Sequence, residues 1–265
     1  MPSSPDEPLG NNKVSEQYFY DSISSDPKKN IPMLSFTNDK MEPFIATFTI
    51  SLSSCVGMRT VHCIKYCYGV SGNMQNSRPK ARYRLNYERS RDPDFVYHIN
   101  NQIQKERRKF DTNGNIFYWR VQHIRIHAIG DFYNNEYYMK WVEIALANPK
   151  VKFLAYTKNI TIDFNIAPKN FFLKFSVDPS TTEVNPTANN LSIVDYVETF
   201  KRQTYGPNSG EIKIHLEAID RGKVKGFMCR SKCKYGCDWC WTNQGNVIFP
   251  IKKKGVLIKL GLIDH

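Results

Sequence analysis

Short hydrophobic runs with the two-residue repeat of strands alternate along this chain with segments that have the longer repeat of helices. The strand-like runs are rich in β-branched and aromatic residues, and they are Phe44–Leu52, the later half of Ile116–Ile129, Val151–Tyr156, Phe171–Val177, Glu211–Ala218 and Asn246–Ile251. Helices are predicted over Asp94–Phe110, Asn135–Ala147 and Leu191–Arg202. Strands that alternate with helices predict an α/β fold with a parallel sheet.

Length and composition favour one large domain with small additions. The chain has 265 residues, of which 41% are hydrophobic, and single β/α barrels commonly reach this length. Residues 1–30 are rich in Pro, Ser, Asn and Asp, which predicts a flexible N-terminal tail. We therefore expect a β/α partial-barrel domain over residues 31–222 and a cysteine-rich C-terminal cap over residues 223–265.

The charge of the chain favours a polyanionic partner. The 37 Lys and Arg residues exceed the 25 Asp and Glu residues, which gives a formal net charge of +12, and nucleic acid is the usual partner of such proteins. The segment Arg78–Arg91 places Tyr83 and Tyr87 among six cations, a mixture typical of phosphate contact and base stacking. A solvated, salt-bridged surface is the alternative interpretation of this segment.

The cysteines indicate metal ligands in a reducing compartment. The chain has no apolar run of about 18 residues, and its polar start lacks the apolar core of a signal peptide, so we expect a cytoplasmic protein without a membrane partner. Thiols stay reduced there. Seven cysteines in two groups suit metal sites better than a disulfide framework.

The first cysteine group follows the first predicted strand and consists of Cys55, Cys63 and Cys67. Structural zinc usually takes four ligands as two close pairs, whereas three thiolates leave one coordination position open. The spacing therefore favours a [4Fe–4S] cluster whose fourth iron binds a substrate or cofactor. A fourth ligand from His62 or from the distal cysteines would close the site instead, and zinc is the alternative metal.

The second cysteine group places four thiols within twelve residues, at Cys229, Cys233, Cys237 and Cys240. Such a compact run resembles the ligands of ferredoxin-type clusters more than paired zinc knuckles. It predicts a second iron–sulfur centre, with zinc as the alternative.

Polar residues follow the predicted strands, at the edge where parallel β/α folds bind ligands. They include His127, Asp131 and Lys158. His127 is a candidate acid–base or a buried, hydrogen-bonded core histidine. Asp131 is a candidate ligand-binding carboxylate or a cap for the following helix, and Lys158 is a candidate anion contact or a solvated loop residue.

The combined order of motifs resembles a phage and plasmid family named after a mycobacteriophage protein, gene product 88. The resemblance covers about residues 44–250, from the first cysteine group through His127–Lys158 to Cys237, Cys240 and Trp241. It implies a shared architecture and does not imply a reaction.

A more distant resemblance connects the chain with radical S-adenosylmethionine enzymes, in which a three-cysteine loop follows the first strand. By this resemblance Tyr66, just before Cys67, packs on adenine, and Gly130 with Asp131 holds the methionyl amine. The cysteine spacing is wider here, and the Gly-Asp motif shorter, than is usual in those enzymes. The resemblance further implies a polar turn at Thr157 and Lys158, ribose or methionine contacts at Ser176 and Asp178, and an auxiliary cluster at the second cysteine group.

These patterns lead to three functional hypotheses. The first is a radical-type iron–sulfur enzyme that acts on a nucleic acid or nucleotide, with S-adenosylmethionine as cofactor and a reductant protein as partner. The second is a non-catalytic nucleic-acid-binding protein with structural iron–sulfur or zinc centres. The third is a hydrolase or lyase that uses an open metal site and His127 as acid–base. The expected fold is a partial, TIM-like β/α barrel that resembles the radical S-adenosylmethionine core.

Overall fold

A computed structural model describes most of the central part of the chain. The described residues are 31–36, 41–42, 44–55, 60, 63, 67–70, 76–104, 107–110, 116–119, 121–178, 180–196, 210–213, 223–229, 237–242 and 245–251. The predicted tail at residues 1–30 and the predicted ligands Tyr66 and Cys233 lie outside the described residues.

The described residues form strands and helices in a mixed order. The strands are β1 Ile45–Phe48, β2 Arg107–Phe110, β3 Ile116–Trp119, β4 His123–Ile126, β5 Lys152–Thr157, β6 Phe171–Val177, β7 Leu191–Tyr196, β8 Gly210–Lys213, β9 Lys223–Met228 and β10 Asn246–Ile251. The α-helices are α1 Ser77–Arg89, α2 Phe95–Gln104 and α3 Asn135–Ala147. Within the described ranges, no helix is long and apolar enough to span a membrane.

Eight strands form one sheet in the order β1-β4-β5-β6-β7-β10-β9-β8. Neighbours from β1 to β9 in this order pair in parallel, and β8 pairs antiparallel with β9. This arrangement confirms the predicted α/β fold with a parallel sheet. No pairing between described residues joins β1 to β8, so this part of the chain shows no barrel closure.

One face of the sheet packs against α2 and α3 to form the main core. Phe48 in β1 lies 5.0 Å from Trp141 in α3, measured between ring centroids, and Trp141 also contacts Phe95 in α2. Burying a large apolar side chain contributes about 1.5–3 kcal/mol to the free energy of unfolding. These aromatic contacts therefore fix the helices against the strands that position the site.

The opposite face of the sheet packs against the second cysteine segment. Leu154, Phe172 and Val247 form a second cluster there with Cys240 and Trp241. The strands β9 and β10 belong to the main sheet, on either side of this cysteine segment. The predicted domain boundary at residue 223 therefore falls within the sheet.

Two local predictions are wrong because pairing partners distant in sequence outweigh the local pattern. The helix predicted over Asp94–Phe110 ends at Gln104, and its predicted last residues, Arg107–Phe110, form β2, which pairs antiparallel with β3. The segment predicted as a helix from Leu191 begins with β7, which pairs with β6 and β10. The predicted helix Asn135–Ala147 and strands Phe171–Val177 and Asn246–Ile251 are confirmed with these bounds.

Candidate functional site

The first cysteine loop leaves β1 at the carboxyl edge of the sheet through a tight turn. The hydroxyl of Ser54 donates to the carbonyl of Ser51 at 2.7 Å and accepts a hydrogen bond from the amide of Asp131 at 2.9 Å. This contact ties the one-turn 3₁₀ helix Leu52–Cys55 to the loop after β4. Cys55 is thereby held beside Asp131.

Gly130 makes this close approach possible. Its φ is +85°, and a Cβ atom there would lie 2.7 Å from Ile50 Cγ1 and 2.8 Å from Ser54 Oγ. Only glycine meets both the backbone conformation and the space available. The predicted Gly130–Asp131 motif is thus a contact point between the cysteine loop and the loop after β4.

Asp131 connects two neighbouring loops and is nearly inaccessible to solvent. Its Oδ1 accepts from the amide of Phe132 at 2.7 Å and its Oδ2 accepts from the amide of Lys158 at 2.7 Å. Burial raises the pKa of this carboxyl to about 6, against the opposing effect of these hydrogen bonds and of a bond from the Thr157 side chain. The alternative that Asp131 caps the next helix is wrong, because Asn134 accepts from the Tyr137 amide instead.

A chain of hydrogen bonds connects Cys63 to the end of β6. The amide of Cys63 donates to Thr60 Oγ1 at 3.1 Å, and the Thr60 hydroxyl donates to Asp178. Lys158 Nζ lies 2.8 Å from the same Asp178 oxygen and 3.1 Å from the carbonyl of Ser176. Although burial opposes it, the Lys158 ammonium lowers the pKa of Asp178 below its ordinary value. The structure therefore brings Lys158 together with Asp178 and the carbonyl of Ser176. The cofactor contacts that the radical S-adenosylmethionine resemblance implies for Ser176 and Asp178 stay a prediction.

The three thiols of the first group share one electrostatic environment. None of the described cysteines forms a disulfide bond. Burial raises the pKa of Cys55, and the charges of Asp131, Cys67 and Cys63 raise it further. Burial likewise raises the pKa of Cys63 to about 11, with Lys158 lowering it and Cys67 raising it. The loop thus places its three cysteines within electrostatic reach of one another.

No three His, Cys, Asp or Glu side chains converge on a single metal ion in the described part of the chain. Thiolates that bind different irons of one cluster have no need to converge on one point, whereas the ligands of a zinc ion do. Three soft sulfur donors match iron–sulfur chemistry by type.

His127 lies in the aromatic core rather than at the open edge of the sheet. It is 3% exposed, and its Nε2 is 2.9 Å from the hydroxyl of Tyr137. Burial lowers its pKa to about 3. The imidazole is neutral at physiological pH and contacts Phe48 and Phe132, so its surroundings match the core-histidine interpretation; a catalytic role stays a prediction.

Cys240 and Cys229 of the second group lie near polar residues on the face opposite α2 and α3. A hydrogen bond with Cys240 and the charges of Cys240 and Cys229 raise the pKa of Tyr156, in addition to the larger effect of burial. Trp239 stacks on Phe227 at 5.1 Å and Trp241 contacts His123 at 4.8 Å, both measured between centroids. Cys237 is partly exposed on the same short segment.

The basic segment Arg78–Arg91 is mostly the helix α1, and its cations serve different purposes. Lys80 and Arg89 are buried, and Arg89 Nη1 donates to the carbonyl of Ile31 at 2.6 Å. Arg78 and Arg91 are exposed, and the Arg91 guanidinium lies 4.1 Å from the ring centroid of Tyr87. Part of the predicted nucleic-acid surface therefore stabilises the fold.

Several residues that stabilise the loops and strands around the cysteines were not predicted from the sequence. Ser54 and Thr60 have no distinguishing pattern, because their partners are distant along the chain. Lys174 could have been recognised from the sequence, because it is a single cation within the apolar strand β6. In the structure it is completely buried.

Comparison with known proteins places these features in a family. The family model described as Gene product 88 matches residues 21–244. This chain belongs to the gene product 88 family. The family match extends across both cysteine groups, from before Cys55 to beyond Cys240.

The chain is also similar to the Gene 88 protein of Mycobacterium phage L5. It is 28% identical over 206 residues, which is 74% of this chain and 81% of the phage protein. No solved structure matches this chain. The gene product 88 resemblance inferred from the motifs is confirmed, and the radical S-adenosylmethionine resemblance has no support from these comparisons.

Proposed function

We propose that this gene product 88 protein binds a four-iron cluster through Cys55, Cys63 and Cys67 and carries out radical S-adenosylmethionine-type chemistry on a nucleic acid or nucleotide. The observation that carries the proposal is the position of the three-cysteine loop after β1 at the carboxyl edge of a parallel sheet, where Ser54 bonds to the amide of Asp131 and Thr60 bonds to Asp178. Ligand sites of open α/β sheets lie at this edge.

Metal binding would remove the unfavourable electrostatic interactions that disfavour the thiolates of the first cysteine group. The raised pKa values of Cys55 and Cys63 keep these two thiols protonated in the metal-free protein, because burial disfavours their thiolates and nearby negative charges, including Asp131, would repel them. A cluster displaces the protons and supplies positive charge. Lys158 offsets the remaining negative charge from its position beside Asp178.

The strand order supports the finer fold that the proposal needs. Six parallel strands follow one another across the sheet in chain order, from β1 through β4, β5, β6 and β7 to β10. The same progression characterises a partial β/α barrel of the radical S-adenosylmethionine type. The cysteine loop follows the first of these strands, as that architecture requires.

The residues around the thiols fit S-adenosylmethionine in part. A carboxylate has about four acceptor positions, and Asp131 uses three, toward the amides of Phe132 and Lys158 and the side chain of Thr157. We assign the remaining position to the methionyl amine. A cluster held by Cys55, Cys63 and Cys67 would keep one coordination position open for S-adenosylmethionine and would supply the electron for its reductive cleavage. The electron comes from a reductant protein.

The decisive experiment is anaerobic purification followed by iron, sulfide and zinc analysis. The proposal expects iron and sulfide, cluster absorbance, and release of methionine and 5′-deoxyadenosine when S-adenosylmethionine and a reductant are added. Cys63→Ala is expected to abolish the release. The control Cys240→Ala alters the second cysteine group and is expected to leave the iron of the first group in place.

A colourless, zinc-containing protein that does not cleave S-adenosylmethionine would support the second candidate, a nucleic-acid-binding protein with structural metal. The observation that favours this candidate is the use of Asp131 and Asp178 in hydrogen bonds that hold the loops together. Helix α1 lies beside this site, since the amide of Ser51 donates to the carbonyl of Tyr83 at 3.1 Å.

Both candidates predict that two exposed cations, Arg78 in α1 and Arg91 just after it, contribute to nucleic-acid affinity. We expect Arg78→Ala and Arg91→Ala to weaken binding of single-stranded DNA or RNA and to reduce its salt dependence. The control Lys169→Ala removes an exposed cation between β5 and β6, at the opposite edge of the sheet, and is expected to have a smaller effect. Equal affinity of all four proteins would exclude α1 as the contact surface.

A further inference from the structure

The face of the sheet opposite α2 and α3 carries basic residues and no acidic ones in four neighbouring strands. In β1, β4, β5 and β6 the side chains on this face alternate with those of the main core. They include Arg125, Lys152 and Lys174 but no Asp or Glu. A surface with this balance of charge favours an anionic ligand.

The three basic residues differ in what they are able to contact. Lys174 is 0% exposed, and its Nζ donates to the carbonyl of Gly245 at 3.0 Å. Arg125 and Lys152 are partly exposed. A ligand on this face therefore reaches Arg125 or Lys152 rather than Lys174.

The second cysteine segment covers the half of the face nearer the amino ends of the strands. Trp241 contacts His123 there, with 4.8 Å between ring centroids, and packs with Leu154. Lys152 and the carboxylate of Asp238 both act electrostatically on His123. This half is thus covered and contains charges of both signs, so we expect an anionic ligand at the other half.

The half nearer the carboxyl ends combines a guanidinium with two aromatic rings. Arg125, Tyr156, Ser176 and Phe249 are each partly exposed there, and we call these residues the open patch. The rings of Tyr156 and Phe249 meet edge to face, with 5.7 Å between centroids. The Arg125 guanidinium lies 5.8 Å from the Tyr156 ring centroid. One ligand is therefore able to contact an aromatic ring and the guanidinium together.

The open patch adjoins the candidate site at the carboxyl edge. The carbonyl of Ser176 accepts from Lys158 Nζ at 3.1 Å. Tyr156 is followed in β5 by Thr157, and the amide of the next residue, Lys158, donates to Asp131. A ligand on the open patch therefore lies beside the loops that hold the first cysteine group.

We infer that the open patch binds a nucleotide, with its base against Tyr156 and Phe249 and its phosphate on the guanidinium of Arg125. The inference rests on the nucleic-acid or nucleotide substrate of the proposed function and gives that substrate a position. Aromatic rings stack on bases of any sequence, and a guanidinium binds a phosphate through two parallel hydrogen bonds. Because a guanidinium has five N–H donors, Arg125 binds the phosphate in addition to its contacts within the protein.

The test measures the affinity of the purified protein for nucleoside 5′-monophosphates and for the matching nucleosides by saturation-transfer NMR. We expect the monophosphates to bind more tightly than the nucleosides. Arg125→Met is expected to weaken monophosphate binding about tenfold, since a charge-assisted hydrogen bond is lost, and to leave nucleoside binding unchanged. Arg125→Lys keeps the charge and should retain part of the preference. Tyr156→Leu is expected to weaken binding of both ligands, and Tyr156→Phe to weaken neither.

The matched control is Lys152→Met, which removes a partly exposed basic residue from the covered half of the same face and is expected to keep the affinity for monophosphates. Circular dichroism checks that each variant folds. Equal losses in Arg125→Met and Lys152→Met would overturn the inference, because they would indicate a general effect of charge. A wild type that binds no monophosphate but binds a pentaglutamate peptide would also overturn it, in favour of an acidic peptide as partner.

These measurements need neither a reductant nor S-adenosylmethionine, so the two proposals fail separately. A protein that binds monophosphates through Arg125 but contains no iron would refute the cluster chemistry and support the open patch as a nucleotide site. A protein that cleaves S-adenosylmethionine but binds no monophosphate would support the cluster chemistry and overturn this inference.

Discussion

The backbone amide of Lys158 donates a hydrogen bond to Asp131 Oδ2 at 2.7 Å, which joins the loop after β5 to the loop after β4. Asp131 also accepts from its neighbour Phe132. One buried carboxylate thus sets the relative position of two loops at the carboxyl edge of the sheet.

Replacing the Asp131 carboxylate should weaken the connection between the loops after β4 and β5. Asp131→Asn turns one acceptor oxygen into a donor and leaves one buried amide without an acceptor, a loss of about 1–3 kcal/mol in the free energy of unfolding. Chemical denaturation monitored by circular dichroism measures it. The control Asp163→Asn alters an exposed carboxylate that accepts from the amide of Asn165 and should cost less. Equal effects would contradict the assigned role of Asp131.

The close contact at Gly130 predicts a severe effect of a single methyl group. Gly130→Ala combines a positive φ with overlap against Ile50 and Ser54, and we expect a loss of at least about 2 kcal/mol in the free energy of unfolding. Gly245→Ala is the matched control, because Gly245 also has a positive φ, of +136°, while the nearest atom to its added Cβ lies 3.9 Å away. The difference between the two variants isolates the overlap. The difference between their losses in free energy of unfolding would be near zero if the cysteine loop shifted to make room for the methyl group.

The hydroxyl of Thr60 connects the cysteine loop to the residue that follows β6, and we predict that this connection supports metal binding. Thr60→Ala removes both the donor to Asp178 and the acceptor for the amide of Cys63, so the loop should hold metal less firmly. Thr60→Ser keeps the hydroxyl and serves as the control. The rate of iron loss to a chelator measures the effect, with a faster loss expected for Thr60→Ala alone. Identical rates in the alanine and serine variants would show that the hydroxyl does not restrain the loop.

The buried imidazole of His127 predicts a dependence of stability on pH. Its folded pKa of about 3 lies below the ordinary value of 6.5, so between these values the unfolded chain binds a proton that the folded chain does not. His127 therefore contributes a loss of stability as the pH falls from about 6.5 toward 3.

The variant His127→Asn removes the titrating group and tolerates the positive φ of 59° at this position. Melting temperatures measured from pH 7 to pH 4 should fall less steeply in the variant than in the wild type. His98→Asn is the control, because His98 is exposed in α2. A slope unchanged by His127→Asn would place the origin of acid sensitivity elsewhere.

Much of the sheet follows from local pattern. Strand β6 has an almost continuous apolar run, as strands buried on both faces require, and helix α3 has the apolar repeat that its buried side needs. The locations of the candidate site at strand ends were predictable for the same reason, since parallel strands bring their carboxyl ends to one edge. Asp131, Lys158 and Asp178 meet there as expected.

Other features depend on partners distant in sequence, and the local pattern does not contain them. Strand β7 resembles a helix locally, but its backbone groups pair with β6 and β10 on either side. His127 follows a strand end, where a catalytic residue is expected. Its ring instead packs among aromatic side chains that include Phe48 and Tyr137. Contacts of this kind are decided by how the layers pack.

The sequence by itself determined the family, the parallel α/β class, and the two sets of thiols, because residue types and spacings are local properties of the chain. Only the tertiary structure decided that Thr60 connects the first cysteine loop to Asp178 and that the buried Lys174 donates to the carbonyl of Gly245. The role of a lysine in an apolar strand depends on the partner that folding places next to it, and the 71-residue separation between Lys174 and Gly245 hides that partner from any local pattern.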